Sequence, residues 1–488
     1  MSFKPSMGFG ENLQQSKAPE FRICCNVGSM FDLPNATLLK GKWGNTFLNG
    51  GLWNSTGIVG PNNSFKSTIS KHFMLSLMAN YGYSTAITMD TEISGTGPGR
   101  YQELAQAFDA LENYDFTSGE RWMYTTNAER YGDEFWSDVK EYLNGKVSKE
   151  NKKANTFTTP FMCSDGEYFK AVIPTAVEID SLSQLTSKAV EEKMAGFDAS
   201  DSKRNMEDMA NAKAKSKIVR DIPVITALSN SFIITTAHVG EKKDLDPYSP
   251  SMNKFQLQKG NRTVKYIPES FLFNMNNVYE INVAKPLINP TTKAPEFPKT
   301  PGDEFRGDTD LMELTITILR GKGGSTGLVF PLLCSQTEGL LPSLSDFYFV
   351  KTNKYGIGGN DRSYFIDLYP DCSLSRTTVR SKIDSDPKLR RALRLQADLL
   401  LMNLVHKTNS DFPTERICTP DVLYKDIKEM GYDWDELLDT VNEWHFREEA
   451  QTKPTLTIYD LLNMRAGVYK PYWQTEEWKK TKPVAMEP

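Results

Sequence analysis

The chain of 488 residues holds only six cysteines, Cys24, Cys25, Cys163, Cys334, Cys372 and Cys418, none in a Cys-x-x-Cys pair, and four histidines. A zinc site or a disulfide framework needs closer or more regular spacing, so these are expected to be reduced thiols. No apolar run approaches the length of a bilayer span, and the N-terminus, Met-Ser-Phe-Lys-Pro-Ser-Met-Gly, has no signal-peptide apolar core. A cytoplasmic protein is the expectation. Positive charge is also short: 57 Lys and Arg against 62 Asp and Glu leave a net charge of −5. Nucleic acid would therefore be held by local patches, since no global field attracts it. What the chain has in plenty is core-forming residues, 39% hydrophobic, over a length that suggests about two or three domains.

Residues 57 to 68 read Gly57-Ile58-Val59-Gly60-Pro61-Asn62-Asn63-Ser64-Phe65-Lys66-Ser67-Thr68. This is a phosphate-binding loop with one substitution, Phe65 standing where the second glycine is usual. The spacing predicts an apolar strand ending at Gly60, inward-pointing backbone amides, and a helix starting near Ser67, so that amides and helix dipole face one anion. Gly60, Pro61, Asn62, Asn63, Ser64, Phe65, Lys66, Ser67 and Thr68 would then hold ATP, with Lys66 on the β- and γ-phosphates and the Ser67 hydroxyl on Mg²⁺. A glycine, spacer and Lys-Ser string also arises by chance in long chains, so the segments that follow have to decide.

Three of them bear on it. Tyr83 to Met89 alternates like a strand and runs into Asp90-Thr91-Glu92. At the carboxyl end of a strand in an open α/β sheet, Glu92 would polarise the water that attacks the γ-phosphate; it reads equally well as a helix-start carboxylate. Ala171 to Leu182 is a mostly apolar run in which Asp180 would hold Mg²⁺, although Pro174 and Glu178 interrupt it and leave edge placement open. Ser231 to Ala237 is a third apolar run, ending at His238, either a γ-phosphate sensor or a satisfied polar residue at a strand end.

Gly-Pro-Asn-Asn-Ser-Phe-Lys-Ser (60 to 67), Met-Asp-Thr-Glu (89 to 92), Ile-Asp-Ser-Leu (179 to 182) and Thr-Ala-His (236 to 238) occur in the order seen in RecA-type recombinases. The set most resembles the phage UvsX branch, which also carries Ser-Phe-Lys-Ser in its loop, and it spans roughly residues 25 to 350. The resemblance implies an α/β fold with a RecA-like P-loop core, a mostly parallel sheet flanked by helices. It also implies that Glu92 activates water, that Asp180 is the metal aspartate, and that His238 couples ATP to a DNA-binding loop. The strand Leu314 to Leu319 leads into Arg320-Gly-Lys322-Gly-Gly-Ser-Thr-Gly327, and in RecA-like filaments basic residues here reach the neighbouring subunit's γ-phosphate. Arg320 and Lys322 would then act as an arginine finger does, within a homo-oligomeric filament or ring. The same segment reads equally well as a hairpin tip with solvated charges.

Two other functions remain open. Ring helicases of the DnaB type share the core and a similar basic, Gly-rich stretch, and a single-strand-binding scaffold could keep the core without hydrolysis. Cys334 to Asp346 resembles the last core segment of the recombinases and favours them. Against the resemblance, no long amphipathic helix precedes residue 25, and the stretch from Glu92 to Asp180, with its lysine-rich part Lys146 to Asn155, is longer than the family's.

Single-stranded DNA is the expected partner. Lys254, Lys259, Arg262 and Lys265 interleave with Phe255, Tyr266, Phe271 and Phe273 where the family has a mobile DNA loop, so cations would meet phosphates and Tyr266 a base. An ordinary strand with exposed lysines is the alternative. Lys203, Arg204, Lys213 and Lys215 lie among Glu191, Glu192 and Asp208 at the family's other DNA loop, a mixture that equally suits a solvated helix. The punctuation divides the chain into a flexible arm at 1–24, an ATPase core at 25–350 and a mainly helical region at 351–488. In that last region Arg376, Arg380, Lys382, Lys388, Arg390, Arg391 and Arg394 form the densest basic cluster. Such a patch would gather duplex DNA by phosphate contact, and a helix face packed on the core explains it equally. Trp434, Trp444, Trp473 and Trp478 suggest a small helical docking module.

Overall fold

The computed structural model describes residues 21–93, 97–188, 190, 192, 201–241, 262–268, 270–302, 304–405, 412–444 and 453–480, with backbone only at 201–209. Residues 1–20 of the expected arm, and Lys254 and Lys259, lie outside the described residues; the last residues of that arm are packed, with Ile23 and Cys24 buried and the Cys24 N–H donating to Asn49 Oδ1 at 2.7 Å.

Ten strands form the main sheet: β1 (Ser55–Gly60), β2 (Thr85–Asp90), β3 (Trp122–Thr126), β4 (Thr175–Asp180), β5 (Ser231–Glu241), β6 (Arg262–Val264), β7 (Asn277–Pro286), β8 (Leu311–Gly321), β9 (Val329–Ser335) and β10 (Gly339–Leu340). They lie in the order β10-β9-β8-β7-β1-β5-β4-β2-β3, with β6 paired to the far end of β5. From β7 to β3 all neighbours are parallel, and from β7 to β10 all are antiparallel. The fold is α/β, with a mostly parallel sheet flanked by helices.

Alternation along the central strands assigns the two faces. Val59, Val177, Ile179 and Ile233 point to a core under the helices α3 (Gly132–Lys146) and α4 (Asp201–Ser229). Ile58, Ala176, Phe232 and Ile234 point to the larger core, shared with α1 (Lys66–Asn80) and α2 (Gly97–Ala105). Strands β1 and β4 are buried at every position, as parallel strands covered on both faces must be. Edge placement of β4 is thereby excluded: Pro174 precedes the strand, and the Glu178 charge is met by neighbours inside. The long stretch between Glu92 and Asp180 is filled by α2, β3, α3 and a hairpin, Thr156–Met162 with Tyr168–Val172.

The larger core runs on without a break past residue 350. Helix α6 (Pro387–Val405) packs on α5 (Pro342–Thr352), and its residues join the same apolar cluster as α1. Thr46 N–H donates to Asp460 Oδ1 at 2.9 Å across the molecule. The tryptophans turn inward: Trp434 Nε1 donates to the Leu368 carbonyl at 2.7 Å, Trp473 Nε1 to Glu436 at 2.8 Å, and the Trp444 ring stacks 5.9 Å from Phe157.

Each residue of the basic cluster has a partner within the chain. Arg376 pairs with Glu304 at 2.7 Å, Arg380 with Glu338 and with Asp310, and Lys388 with Asp435 at 2.6 Å. Lys382 and Arg390 donate to carbonyls, and buried Arg391 to Asn442, Thr440 and the Leu456 carbonyl. Arg394 joins Asp32 at 2.7 Å, Asp398 at 3.3 Å and Glu443 at 3.4 Å.

Candidate functional site

Between β1 and α1 the backbone alternates in hand, with Asn63 at φ 55° and Phe65 at φ 66°. Such alternation turns successive N–H groups to one side and makes an anion-binding concavity. None of the N–H groups of residues 62 to 68 finds an acceptor among the described residues; the first engaged is Ile69, donating to the Phe65 carbonyl at 3.1 Å. This set of orphan donors at a helix N-terminus is what a phosphate fits. The left-handed backbone at residue 65 explains why glycine is usual there. A side chain costs about 1–2 kcal/mol in that conformation, and packing of the half-buried Phe65 ring against the core opposes the cost. Gly60 is needed for close approach, since a Cβ there would lie 2.7 Å from Ser64 Oγ.

Lys66 Nζ and Ser64 Oγ both donate to the Pro61 carbonyl, each at 2.7 Å, and close the loop. Burial pushes the Lys66 ammonium below its ordinary pKa, opposed by the nearby Glu92 and Asp180 carboxylates.

The carboxyl ends of four strands lie side by side. His238 is the register partner of Gly60, and Asp180 that of Asp90, so β1, β5, β4 and β2 deliver their polar residues to one edge. Asp180 Oδ1 accepts from Thr236 Oγ1 at 2.6 Å and Oδ2 from Lys71 Nζ at 3.2 Å. Burial would raise the Asp180 pKa, but Lys71 and the Thr236 and Ser67 hydroxyls outweigh it and hold the carboxyl below its usual range. The Asp180–Ser181 peptide bond is cis.

Asp90 shapes the neighbouring turn. Its Oδ1 accepts from the N–H groups of Glu92 and Ile93, each at 3.0 Å, and its Oδ2 from the Tyr124 hydroxyl at 2.8 Å. Glu92 so placed has Oε1 2.7 Å from His238 Nε2, while the buried Nδ1 of His238 has no partner among the described residues. The strand does not end at His238, as its apolar run suggests, but continues to Glu241 because β6 pairs with its last residues.

That hairpin ties the site to the candidate DNA residues. Lys265 N–H donates to the His238 carbonyl at 2.8 Å; His238 N–H donates to Ser183 Oγ at 3.0 Å, which donates to the Lys265 carbonyl at 3.0 Å. Buried Lys215 of α4 donates to the Ser183 carbonyl at 2.5 Å and to that of Tyr266 at 3.3 Å. Tyr266 is 71% exposed, whereas Arg262 turns back to the Asn282 carbonyl and lies 3.8 Å from Glu280. Lys213 is exposed on α4, and Phe271 is buried in the core.

Arg320 and Lys322 are elsewhere. They sit at the β8–β9 hairpin, as the hairpin reading has it, and Arg320 is level with Val278 and thus with Gly57. At about 3.3 Å per residue this is at least about 10 Å from the loop along β1, at the opposite end of the sheet. Partial burial, with Arg320 and Arg22 nearby, lowers the Lys322 pKa below its ordinary value.

The sequence reading missed Lys71, Glu178, Tyr101 and Thr236. Glu178 accepts from the Tyr101 hydroxyl at 2.5 Å and from Thr88 Oγ1 at 3.2 Å. Burial raises the Glu178 pKa against the pull of Lys71; burial would lower that of Lys71, but Glu178 and Asp180 raise it on balance. The one available signal was spacing, Ser67 and Lys71 one helical turn apart on α1, and Glu178 and Asp180 on one face of β4.

Among the described residues no group of three His, Cys, Asp or Glu could hold a metal ion. Mg²⁺ at a phosphate site does not need one, since it keeps several waters and is held by one or two carboxylates or hydroxyls together with the phosphates. Ser67 and Asp180, near each other beside the orphan amides, suit it.

Neither a protein-family model nor a curated protein sequence matches the chain. The likeness to the recombinases rests on the motifs and their order.

Proposed function

We propose that the chain is an ATP-dependent DNA recombinase of the RecA and UvsX kind. It would bind single-stranded DNA and promote homologous pairing and strand exchange. The observation that carries the reading is the convergence of Lys66, Ser67, Glu92, Asp180 and His238 around seven amides without an acceptor among the described residues, at the carboxyl ends of adjacent parallel strands.

In this reading the amides of 62 to 68 and Lys66 take the phosphates, and Ser67 and Asp180 hold Mg²⁺, which neutralises charge on the transferring phosphoryl group. Glu92 takes the proton of the attacking water, oriented by the turn that Asp90 fixes. His238 holds a Glu92 oxygen at one end and is bonded to the β5–β6 hairpin at the other, so its position links the water-activating carboxylate to the residues around Lys265 and Tyr266. Arg320 and Lys322, at the far end of the sheet, can serve only a neighbouring copy's nucleotide, which makes turnover depend on assembly.

The test is ATP hydrolysis by the purified protein alone, with single-stranded DNA and with duplex DNA, at low and moderate salt, followed by strand-exchange and unwinding assays. Expected are strong stimulation by single strands, turnover per chain that falls on dilution, and strand exchange. Unwinding without exchange would point to the helicase, and tight single-strand binding without turnover to the scaffold.

A further inference from the structure

Helix α1 turns three polar residues at helical spacing, Ser67, Ser70 and Lys71, toward the face of β4 that carries Glu178 and Asp180. A helix face laid on a central strand is ordinarily apolar, and a buried ammonium is costly unless closely paired. Lys71 is closely paired. Its Nζ lies 3.2 Å from Asp180 Oδ2 and 5.1 Å from the centre of the Tyr101 ring, whose hydroxyl donates to Glu178 at 2.5 Å. With Thr236 on the other oxygen, the Asp180 carboxylate is fixed at both ends. Asp180 therefore meets a cation of the protein on one oxygen and lies close enough to Ser67 of the phosphate loop for that hydroxyl to lower its pKa.

We propose that Lys71 is a positioning residue that serves Asp180 as a resident counter-ion. It screens the metal-binding carboxylate from the phosphates of an arriving nucleotide, so that nucleotide occupies the loop without Mg²⁺. The inference rests on the nucleotide reading above. Without a cation here, Asp180 would stand as a bare negative charge beside a loop built for anions. Like charges a few ångströms apart in a partly dry site repel by enough to cost about tenfold or more in affinity. The salt bridge removes most of that repulsion before any metal arrives.

The experiment is titration of the full-length protein with a fluorescent ATP analogue, once in EDTA and once in excess Mg²⁺. For the wild type the affinity in EDTA should lie within about tenfold of that with Mg²⁺. In the charge-balanced, nearly isosteric double variant Lys71→Met with Glu178→Gln, it should fall about tenfold further in EDTA and change less than about threefold with Mg²⁺. Lys71→Arg, which keeps the charge, should follow the wild type. Equal losses in both conditions, or no loss in either, would overturn the role of Lys71 and leave the phosphate loop standing. A wild-type affinity that collapses in EDTA overturns it with no variant needed. A wild type that binds nucleotide in neither condition removes both this inference and the reading beneath it.

Discussion

The molecule has two concentrations of buried charge, and they are built differently. At the carboxyl ends of β1, β5, β4 and β2 the charged groups surround donors that have no acceptor among the described residues, the amides of residues 62 to 68. In the seam between the N-terminal segment and α6, Arg394 by itself reaches Asp32, Asp398 and Glu443, and just before that helix and on it Arg376, Arg380 and Arg391 are each bonded to two or more groups of the chain. Unused hydrogen-bonding capacity, more than charge density, is what singles out the proposed site. The densest run of arginines is engaged within the chain, and the loop with a single lysine keeps its amides without acceptors among the described residues.

The comparison predicts that changes in the first region affect turnover and leave the fold alone. Glu92→Gln should lower ATP hydrolysis by about 10²- to 10⁴-fold, the usual worth of a positioned base, with nucleotide affinity within a few-fold of wild type. Steady-state kinetics beside equilibrium binding separates the two. Loss of binding or of cooperative unfolding would show that Glu92 is part of the scaffold and would erase the contrast.

Changes in the second region should do the reverse. Arg394→Met leaves the Asp32 carboxylate, which accepts from Val27 and Gly28 N–H, buried without its cation. Breaking such a pair typically costs about 3–5 kcal/mol. Urea denaturation should show that loss, with ATP affinity unchanged at temperatures where the variant is folded. A stability within about 0.5 kcal/mol of wild type would mean that the seam is no more than a surface cluster.

The smallest effect concerns pH. Asp346, wholly buried on α5 and accepting from Ser29 Oγ at 3.0 Å, has its pKa raised by burial to about 8. The folded chain then keeps a proton that the unfolded chain gives up near the ordinary aspartate value of 3.8, so stability falls as pH rises through that window. From pH 6 to 8.5 Asp346 by itself should account for a loss of about 2–3 kcal/mol, read as the difference between the profiles of wild type and Asp346→Asn. Equal slopes in the two urea-midpoint profiles would show that Asp346 is not the group responsible.

What the sequence made legible follows from range. Gly60 to Thr68, Asp90 to Glu92, Asp180 and His238 were readable because each is a local event, a strand ending in a polar residue or a glycine before a helix. The central position of β4 was not, since Glu178 looks unfit for a buried strand until Lys71 and Tyr101, distant in the chain, are seen beside it. For the same reason the arginines between residues 376 and 394 resembled a nucleic-acid patch, because acceptors such as Asp32, Asp310 and Glu338 lie far off in sequence. Phe65 was a departure on paper and fits in space, its backbone taking the left-handed turn that glycine would.

The claim that the orphan amides and Lys66 form a nucleotide site is tested most directly by equilibrium binding of ATP with Mg²⁺ to the wild type and to Lys66→Ala. The account predicts one ATP per chain in the wild type and a loss of about a hundredfold or more in the variant, with its thermal unfolding unchanged. Equal affinity in the two proteins, or no binding by the wild type, would contradict it.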